Sequence, residues 1–245
     1  MRVVRLYTHQ NLAPDIELEL EDDIRHYAVN VLRLNKHSAL KLFNGDGYDY
    51  RCKIISCSKT SLRVQLTEKL APHSESSLTT HLYLGVSKSS HMDYAIQKTV
   101  EAGVSTIHPI LTERTVNKVT AKSSQNKHQH WQRIIQSACE QCGRAVIPKL
   151  FPISQLNEIE KLSEGEYGLM FDAGAKQAIG SLTINTPSAI KLLIGAEGGF
   201  TEDEMNLALE KGFQTVHCGP RILRTETAAL TAVLMAQSLY GDLNS

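Results

Sequence analysis

Two clusters near the C-terminal end carry the residues whose types and spacing could do chemistry. In the first, Leu192-Leu193-Ile194-Gly195-Ala196-Glu197-Gly198-Gly199-Phe200, three glycines follow an apolar run. In the second, His217-Cys218-Gly219-Pro220-Arg221-Ile222-Leu223-Arg224-Thr225-Glu226-Thr227, two arginines follow a Gly-Pro turn. A glycine loop leading into a helix offers main-chain N–H groups to a ligand, most often a phosphate. Here the helix opens with Glu202, Asp203 and Glu204, which already complement its dipole and repel a phosphate. No lysine follows the glycines as in a P-loop, and their spacing is not G-x-G-x-x-G. What remains is an uncharged or cationic ligand read by backbone groups.

S-adenosylmethionine, an adenosine with a sulfonium and no phosphate, meets that requirement. The elements that position the loops are legible too. Ile190 to Ile194 reads as a strand buried on both faces. Thr201 and Glu204 form a capping box that starts a helix. A second strand, Thr215 to Cys218, feeds the Gly219-Pro220 loop, with Thr225 capping the helix that follows. Two such strand-loop-helix turns at the ends of parallel strands make a ligand crevice.

The two clusters closely resemble the RsmE family of SPOUT-class methyltransferases, which methylate uridine N3 in 16S rRNA. The resemblance extends to Lys98-Thr99-Val100-Glu101-Ala102-Gly103-Val104, to Thr112-Glu113-Arg114, and to Ala138-Cys139-Glu140-Gln141-Cys142-Gly143-Arg144, and so covers most of the chain. It departs at Ala196, where many relatives have proline. The resemblance implies an α/β fold: a C-terminal SPOUT-type parallel sheet with a trefoil knot, preceded by a small PUA-like β-barrel domain. Periodicity alone leads instead to an unknotted open sheet.

The resemblance also implies a pocket for S-adenosylmethionine built from three loops. Its residues are Phe171 and Asp172, then Ile194, Gly195, Glu197 and Gly198, then Cys218, Gly219, Ile222, Leu223 and Thr227. A uridine N3 is protonated at neutral pH, so the reaction must stabilise an anion and remove a proton. Arg224 stays cationic and cannot be the base, but its fork can hold negative charge developing on the uracil carbonyls. Water or a carboxylate such as Glu140 takes the proton in this reading. A phosphate clamp, or an ion pair with Glu226, is the alternative role for Arg224.

Charge is uneven along a chain that is neutral overall. Residues 1–72 carry 11 basic and 9 acidic side chains, residues 73–150 carry 9 and 5, and residues 151–245 carry 6 and 12. The basic part gathers Arg114, Lys118, Lys122, Lys127, Arg133, Arg144 and Lys149, the footprint of a polyanion or simply a solvated face. Arg5, Arg114 and Arg144 are the expected RNA contacts.

Residues 1–70 read as the PUA-like, RNA-binding barrel. Ala39 to Phe43, Tyr48 to Cys57 and Leu62 to Leu66 are strand-like, with Asn44-Gly45-Asp46-Gly47 as a hairpin turn and Asp22 to Leu34 as one amphipathic helix. Residues 71–79, serine-rich and holding Pro72, read as a linker. Residues 80–245 alternate strands and helices, the pattern of a parallel sheet. The last helix, Glu226 to Leu239, is apolar nearly all round, which suits a core helix or a subunit interface. The family's dimerisation through the knotted domain favours a homodimer.

Other constellations point away from metal and covalent chemistry. Cys139-x-x-Cys142 lies late in a helix and finds no second pair at zinc spacing. His91 and His108 stand alone, and Ser87, Ser89 and Ser90 lack a nucleophile elbow. Five cysteines, an N-terminus without a signal-peptide core and the absence of a membrane-length apolar run lead to a cytoplasmic protein. The expected activity is methylation of a uridine N3 in 16S rRNA, with the assembled 30S subunit as partner. A SPOUT enzyme for another RNA position and a non-catalytic assembly factor are the alternatives.

Overall fold

A computed structural model describes residues 3–71, 74–115 and 120–244. Lys118, Pro72 and His73 fall outside the described residues. Two compact units divide the chain: Met1–Glu75 with Cys139–Ile147, and Ser76–Ala138 with Pro148–Ser245.

The first unit is a five-stranded sheet in the order β1-β3-β4-β5-β2. Its strands are β1 (Val4–Tyr7), β2 (Glu17–Glu19), β3 (Leu40–Phe43), β4 (Asp49–Cys57) and β5 (Leu62–Leu70). Alternation sets its inner face: Tyr50, Cys52 and Ile54 of β4 and Leu62, Val64 and Leu66 of β5 are buried. Residues 45 and 47 take positive φ, which glycine supplies at the β3–β4 turn. The expected single helix from Asp22 is broken into a short α1 (Asp22–His26) and a π-helical turn (Tyr27–Val31). Its i, i+5 bonding, seen in Leu32 N–H to Tyr27 O, leaves Tyr27 and Val31 exposed while Ala28 is buried.

The second unit is a parallel sheet in the order β12-β10-β11-β6-β7-β8, with β9 also pairing β7. Its strands are β6 (Thr80–Gly85), β7 (Thr106–Leu111), β8 (Lys149–Leu150), β9 (Ser154–Gln155), β10 (Glu166–Phe171), β11 (Ala189–Ile194) and β12 (Phe213–Val216). Every residue of β11 is buried, as a central parallel strand requires. Lys191 tolerates that position because its Nζ lies 2.8 Å from Glu166 Oε2.

The helices are α2 (Ser89–Glu101), α3 (Ala121–Cys142), α4 (Glu202–Glu210) and α5 (Thr225–Tyr240). From Cys139 onward, the end of α3 groups with the first unit. The capping box of α4 is complete, Thr201 Oγ1 accepting from Glu204 N–H and Glu204 Oε2 from Thr201 N–H. At α5 the N-cap position falls on Arg224, without a side-chain cap, and Thr225 is instead a buried first-turn residue. Nor is α5 buried all round. Ala229, Ala232, Val233 and Ala236 form its inner stripe, whereas Leu234 and Leu239 are exposed. Small residues at helical spacing let one face pack closely and leave larger side chains outside.

Candidate cofactor pocket

Three strands end side by side, and the loops that leave them enclose a cavity of about 520 Å³. Phe171 closes β10 and Ile194 closes β11, paired in register. After β10, Asp172 Oδ2 accepts Gly174 N–H at 2.9 Å and tightens the turn. After β11, Gly199 N–H bonds Ala196 O at 2.9 Å, and Gly199 holds φ at +68°. After β12, Gly219, at φ +94°, donates its N–H to His217 Nδ1. The third loop then runs to Arg224 at the head of α5.

The glycines serve the loop itself. An added Cβ on Gly195 would lie 3.2 Å from Gly199 and from the Phe200 ring. One on Gly198 would lie 2.8 Å from Cβ of Arg114, whose guanidinium donates to Gly198 O at 2.8 Å. At the end of β6, Gly85 leaves no room for any side chain against the backbone of Gly195 and Ala196.

Of the expected cofactor residues, Phe171, Asp172, Ile194, Gly195, Glu197, Gly198, Ile222 and Leu223 line this cavity. Cys218 and Gly219 line a smaller adjoining one of about 90 Å³ that shares Phe171, Asp172, Ile222 and Leu223. Thr227 lies on the exposed side of the first turn of α5 and lines neither among the described residues. Ile222 is 88% exposed, an apolar side chain at the mouth with little protein against it.

The sequence gives no sign that His91 belongs here. It lines the cavity from the first turn of α2, with Nδ1 3.4 Å from Glu197 Oε1 and 3.8 Å from Glu226 Oε2. Glu197 also accepts Lys88 N–H at 3.0 Å, at the start of α2. Burial pushes the Glu197 carboxyl up, but the Lys88 amide, its own amide and His91 together hold it below the ordinary range. His91 Nδ1 and Glu226 Oε2 are shielded from solvent and make no hydrogen bond.

Arg224 lines the cavity and is an exposed residue. Among the described residues no ion pair joins it to Glu226, whose Oε2 lies 3.8 Å from His91 Nδ1. Glu140 belongs to the first unit, where its Oε1 accepts Tyr7 N–H at 2.9 Å, and burial raises its pKa. Arg5 is spent on Asp49 and on the carbonyls of Cys139 and Arg144. Arg144 is 5% exposed and pairs with Glu75 at 2.8 Å. Of the three arginines expected at RNA, Arg114 is the exposed one.

Cys139 is buried, its thiol pushed up to about 12 by desolvation, and all five cysteines are free thiols. Among the described residues, no group of three or more His, Cys, Asp or Glu is arranged to hold a metal ion. No helix there is long and apolar enough to cross a membrane.

The cavity suits S-adenosylmethionine. Its volume is that of a small-molecule site, Phe171, Ile194 and Leu223 offer apolar faces, and Asp172, Glu197 and Glu226 offer carboxylates to a cation.

A parallel sheet with a cofactor-sized cavity at its strand ends, preceded by a five-stranded N-terminal sheet, is the arrangement of an RNA methyltransferase with a PUA domain, and the family models match it. The model of the RNA methyltransferase domain matches residues 74–237, and that of the RNA methyltransferase PUA domain matches residues 20–67. Ribosomal RNA small subunit methyltransferase E of Buchnera aphidicola is 34% identical over 242 residues, 98% of this chain and 95% of that protein. Its counterpart in Bacillus subtilis is 29% identical across 85% of the chain. The Neisseria gonorrhoeae ribosomal RNA small subunit methyltransferase E, solved bound to S-adenosyl methionine, superposes with a TM-score of 0.91 at 34% identity, over 99% of this chain and 100% of that one. A putative methyltransferase from Legionella pneumophila, solved with its cofactor SAM, gives 0.93 at 34% identity, with the same coverage. The chain belongs to the ribosomal RNA small subunit methyltransferase E family.

Proposed function

We propose that this protein transfers a methyl group from S-adenosylmethionine to N3 of a uridine in 16S rRNA, with the assembled 30S subunit as substrate. One observation carries the reading: three loops at the ends of adjacent parallel strands enclose a cofactor-sized cavity with Arg224 at its edge.

When bound, the cofactor supplies a methyl group on a sulfonium, open to in-line displacement. The chain's own residues do the rest. Phe171, Ile194, Ile222 and Leu223 pack on the adenine, and the loops holding Gly195, Gly198, Cys218 and Gly219 present main-chain groups to it. Asp172 and Glu197 would complement the positive charge. Arg224, which makes no ion pair among the described residues, donates to the uracil carbonyls as N3 becomes anionic, a contribution of about 3 kcal/mol for a well-placed donor. Arg114, exposed beside the glycine loop, is the RNA contact that the geometry favours.

Homodimerisation is part of the proposal, supported by exposed Leu234 and Leu239 on α5 and Leu243 beyond it. So are the trefoil knot, supported by the similarity to the SPOUT class, and a cytoplasmic location, where ribosomal subunits are found.

The test pairs calorimetric titration of S-adenosylmethionine with methylation of 30S subunits, in wild type and Arg224→Ala. The reading expects both proteins to bind the cofactor, 3-methyluridine as the product, and a rate reduced about 100-fold in the variant. A wild type that binds no S-adenosylmethionine, with or without RNA, would overturn it in favour of an assembly factor.

A further inference from the structure

We infer that Glu226, backed by His91, is the group that takes the proton from the target nitrogen. This rests on the methyltransferase reading and names a role in that site which the similarity does not assign.

The chemistry requires an acceptor. The nitrogen forms one bond to the methyl carbon and loses its bond to hydrogen, the N–H electron pair serves the new N–C bond, and the C–S pair stays on sulfur. Positive charge on the sulfonium disappears, so an acceptor that begins as an anion leaves the pocket neutral. A carboxylate in the wall is that anion, and Glu226 has the placement. It sits two residues after Arg224 in the first turn of α5, so one turn of chain carries both the donor to the carbonyls and the acceptor for the proton.

The surroundings of Glu226 favour the role over a purely structural one. A structural carboxylate this enclosed is normally saturated with donors. Yet Glu226, its side chain 13% exposed, leaves Oε2 shielded and without a hydrogen bond. Its neighbour at 3.8 Å is His91 Nδ1. An imidazole there can stabilise the carboxylate while charged and receive the proton onward while neutral. Glu197 lies on the other side of the ring at 3.4 Å and is held by Lys88 N–H. The other charged groups around the pair are Asp172 and Arg224 in the cavity wall, with Lys88 at the N-cap and Asp93 near the start of α2, the helix that carries His91. Asp93 is engaged elsewhere, its Oδ2 2.9 Å from His130.

Three variants decide it: Glu226→Gln, Glu226→Asp and His91→Gln. Each is measured for S-adenosylmethionine affinity by calorimetry, for single-turnover methylation of unmethylated 30S subunits from pH 6 to 9.5, and for melting temperature. Expected for Glu226→Gln is cofactor affinity within about threefold of wild type and a rate lowered about 100-fold at pH 7. That deficit shrinks as rising pH ionises N3 without help. Glu226→Asp recovers part of the rate, and His91→Gln falls about tenfold at neutral pH with cofactor affinity kept.

A Glu226→Gln protein that methylates at the wild-type rate overturns the inference. So does one whose affinity falls as far as its rate, which makes Glu226 a cofactor contact. A pH-dependent loss in Glu140→Gln while Glu226→Gln stays active moves the role to Glu140. Failure of the wild type to bind S-adenosylmethionine is a separate result, which removes the methyltransferase reading itself.

Discussion

The main chain at Ala196 runs against the Cα of Gly85 so closely that residue 85 has no space for a side chain. The end of β6 is thereby packed onto the glycine loop that follows β11, although the two residues are far apart in sequence. Gly85→Ala forces backbone against backbone, and no side-chain rotation relieves it. The expected result is a loss of about 1–3 kcal/mol in stability, with at least a tenfold loss of S-adenosylmethionine affinity as the loop shifts. Urea unfolding and calorimetry measure the two effects; unchanged affinity would show that the loop has slack.

Arg5 holds Asp49 at 2.7 Å, donates to three further carbonyls, those of Cys139, Glu140 and Arg144, and covers the Phe43 ring, with its side chain 11% exposed and that of Asp49 4%. Lys41 reaches the same carboxylate at 3.2 Å, so the charge on Asp49 is not wholly orphaned without Arg5. Arg5→Ala should cost about 3 kcal/mol, read from chemical denaturation. A contact to RNA phosphate would instead appear as weaker, less salt-sensitive RNA binding with stability intact.

Glu204 is 7% exposed, and its two oxygens are divided between Thr201 N–H and Glu113 N–H, each at 2.9 Å. Thr201→Ala removes one cap and should cost about 1 kcal/mol. Glu204→Ala strips two donors of their partner at once and should cost more, about 2–4 kcal/mol. Equal effects in the two variants would mean that the Glu113 bond adds nothing.

Desolvation, with His81, Lys191 and Lys149 nearby, lowers the pKa of His108 to about 4. The ring is stacked between Tyr83 and Phe151. A histidine with a depressed folded pKa binds its proton more readily in the unfolded chain. Its contribution is therefore complete above the unfolded pKa of about 6.5 and is lost as pH falls from there toward 4. His81, also lowered by burial, acts in the same direction. Stability should drop by on the order of 2 kcal/mol between pH 7 and pH 4.5 from His108. His108→Phe, which keeps a ring in the stack, should flatten that part of the profile in urea titrations at each pH.

Local chemistry made much of this protein legible from sequence. The unbroken apolar run of β11, the capping box of α4 and the alternation in β4 and β5 declare themselves over a few residues, because burial and hydrogen bonding there repeat with the period of the element. The two loop motifs brought the family resemblance with them, and Phe171, Gly195 and Leu223 with it. The break at Tyr27 was hidden, since a π turn carries the same apolar residues as the helix that it interrupts. The exposed side of α5 was hidden too, because composition does not say which face finds a neighbour.

Tertiary structure alone decided the rest. Arg5 and Arg144 look like any basic residues until the fold supplies Asp49 and Glu75. His91 reads as a solitary histidine because Glu197 and Glu226 are brought to it only when β12, β10, β11 and β6 line up in one parallel sheet. Gly85 is one glycine among fifteen until the sheet lays Ala196 across it. Residue type sets what a side chain is able to do, but sites made of groups distant in sequence exist only once the backbone has closed on itself, and no local pattern records that closure.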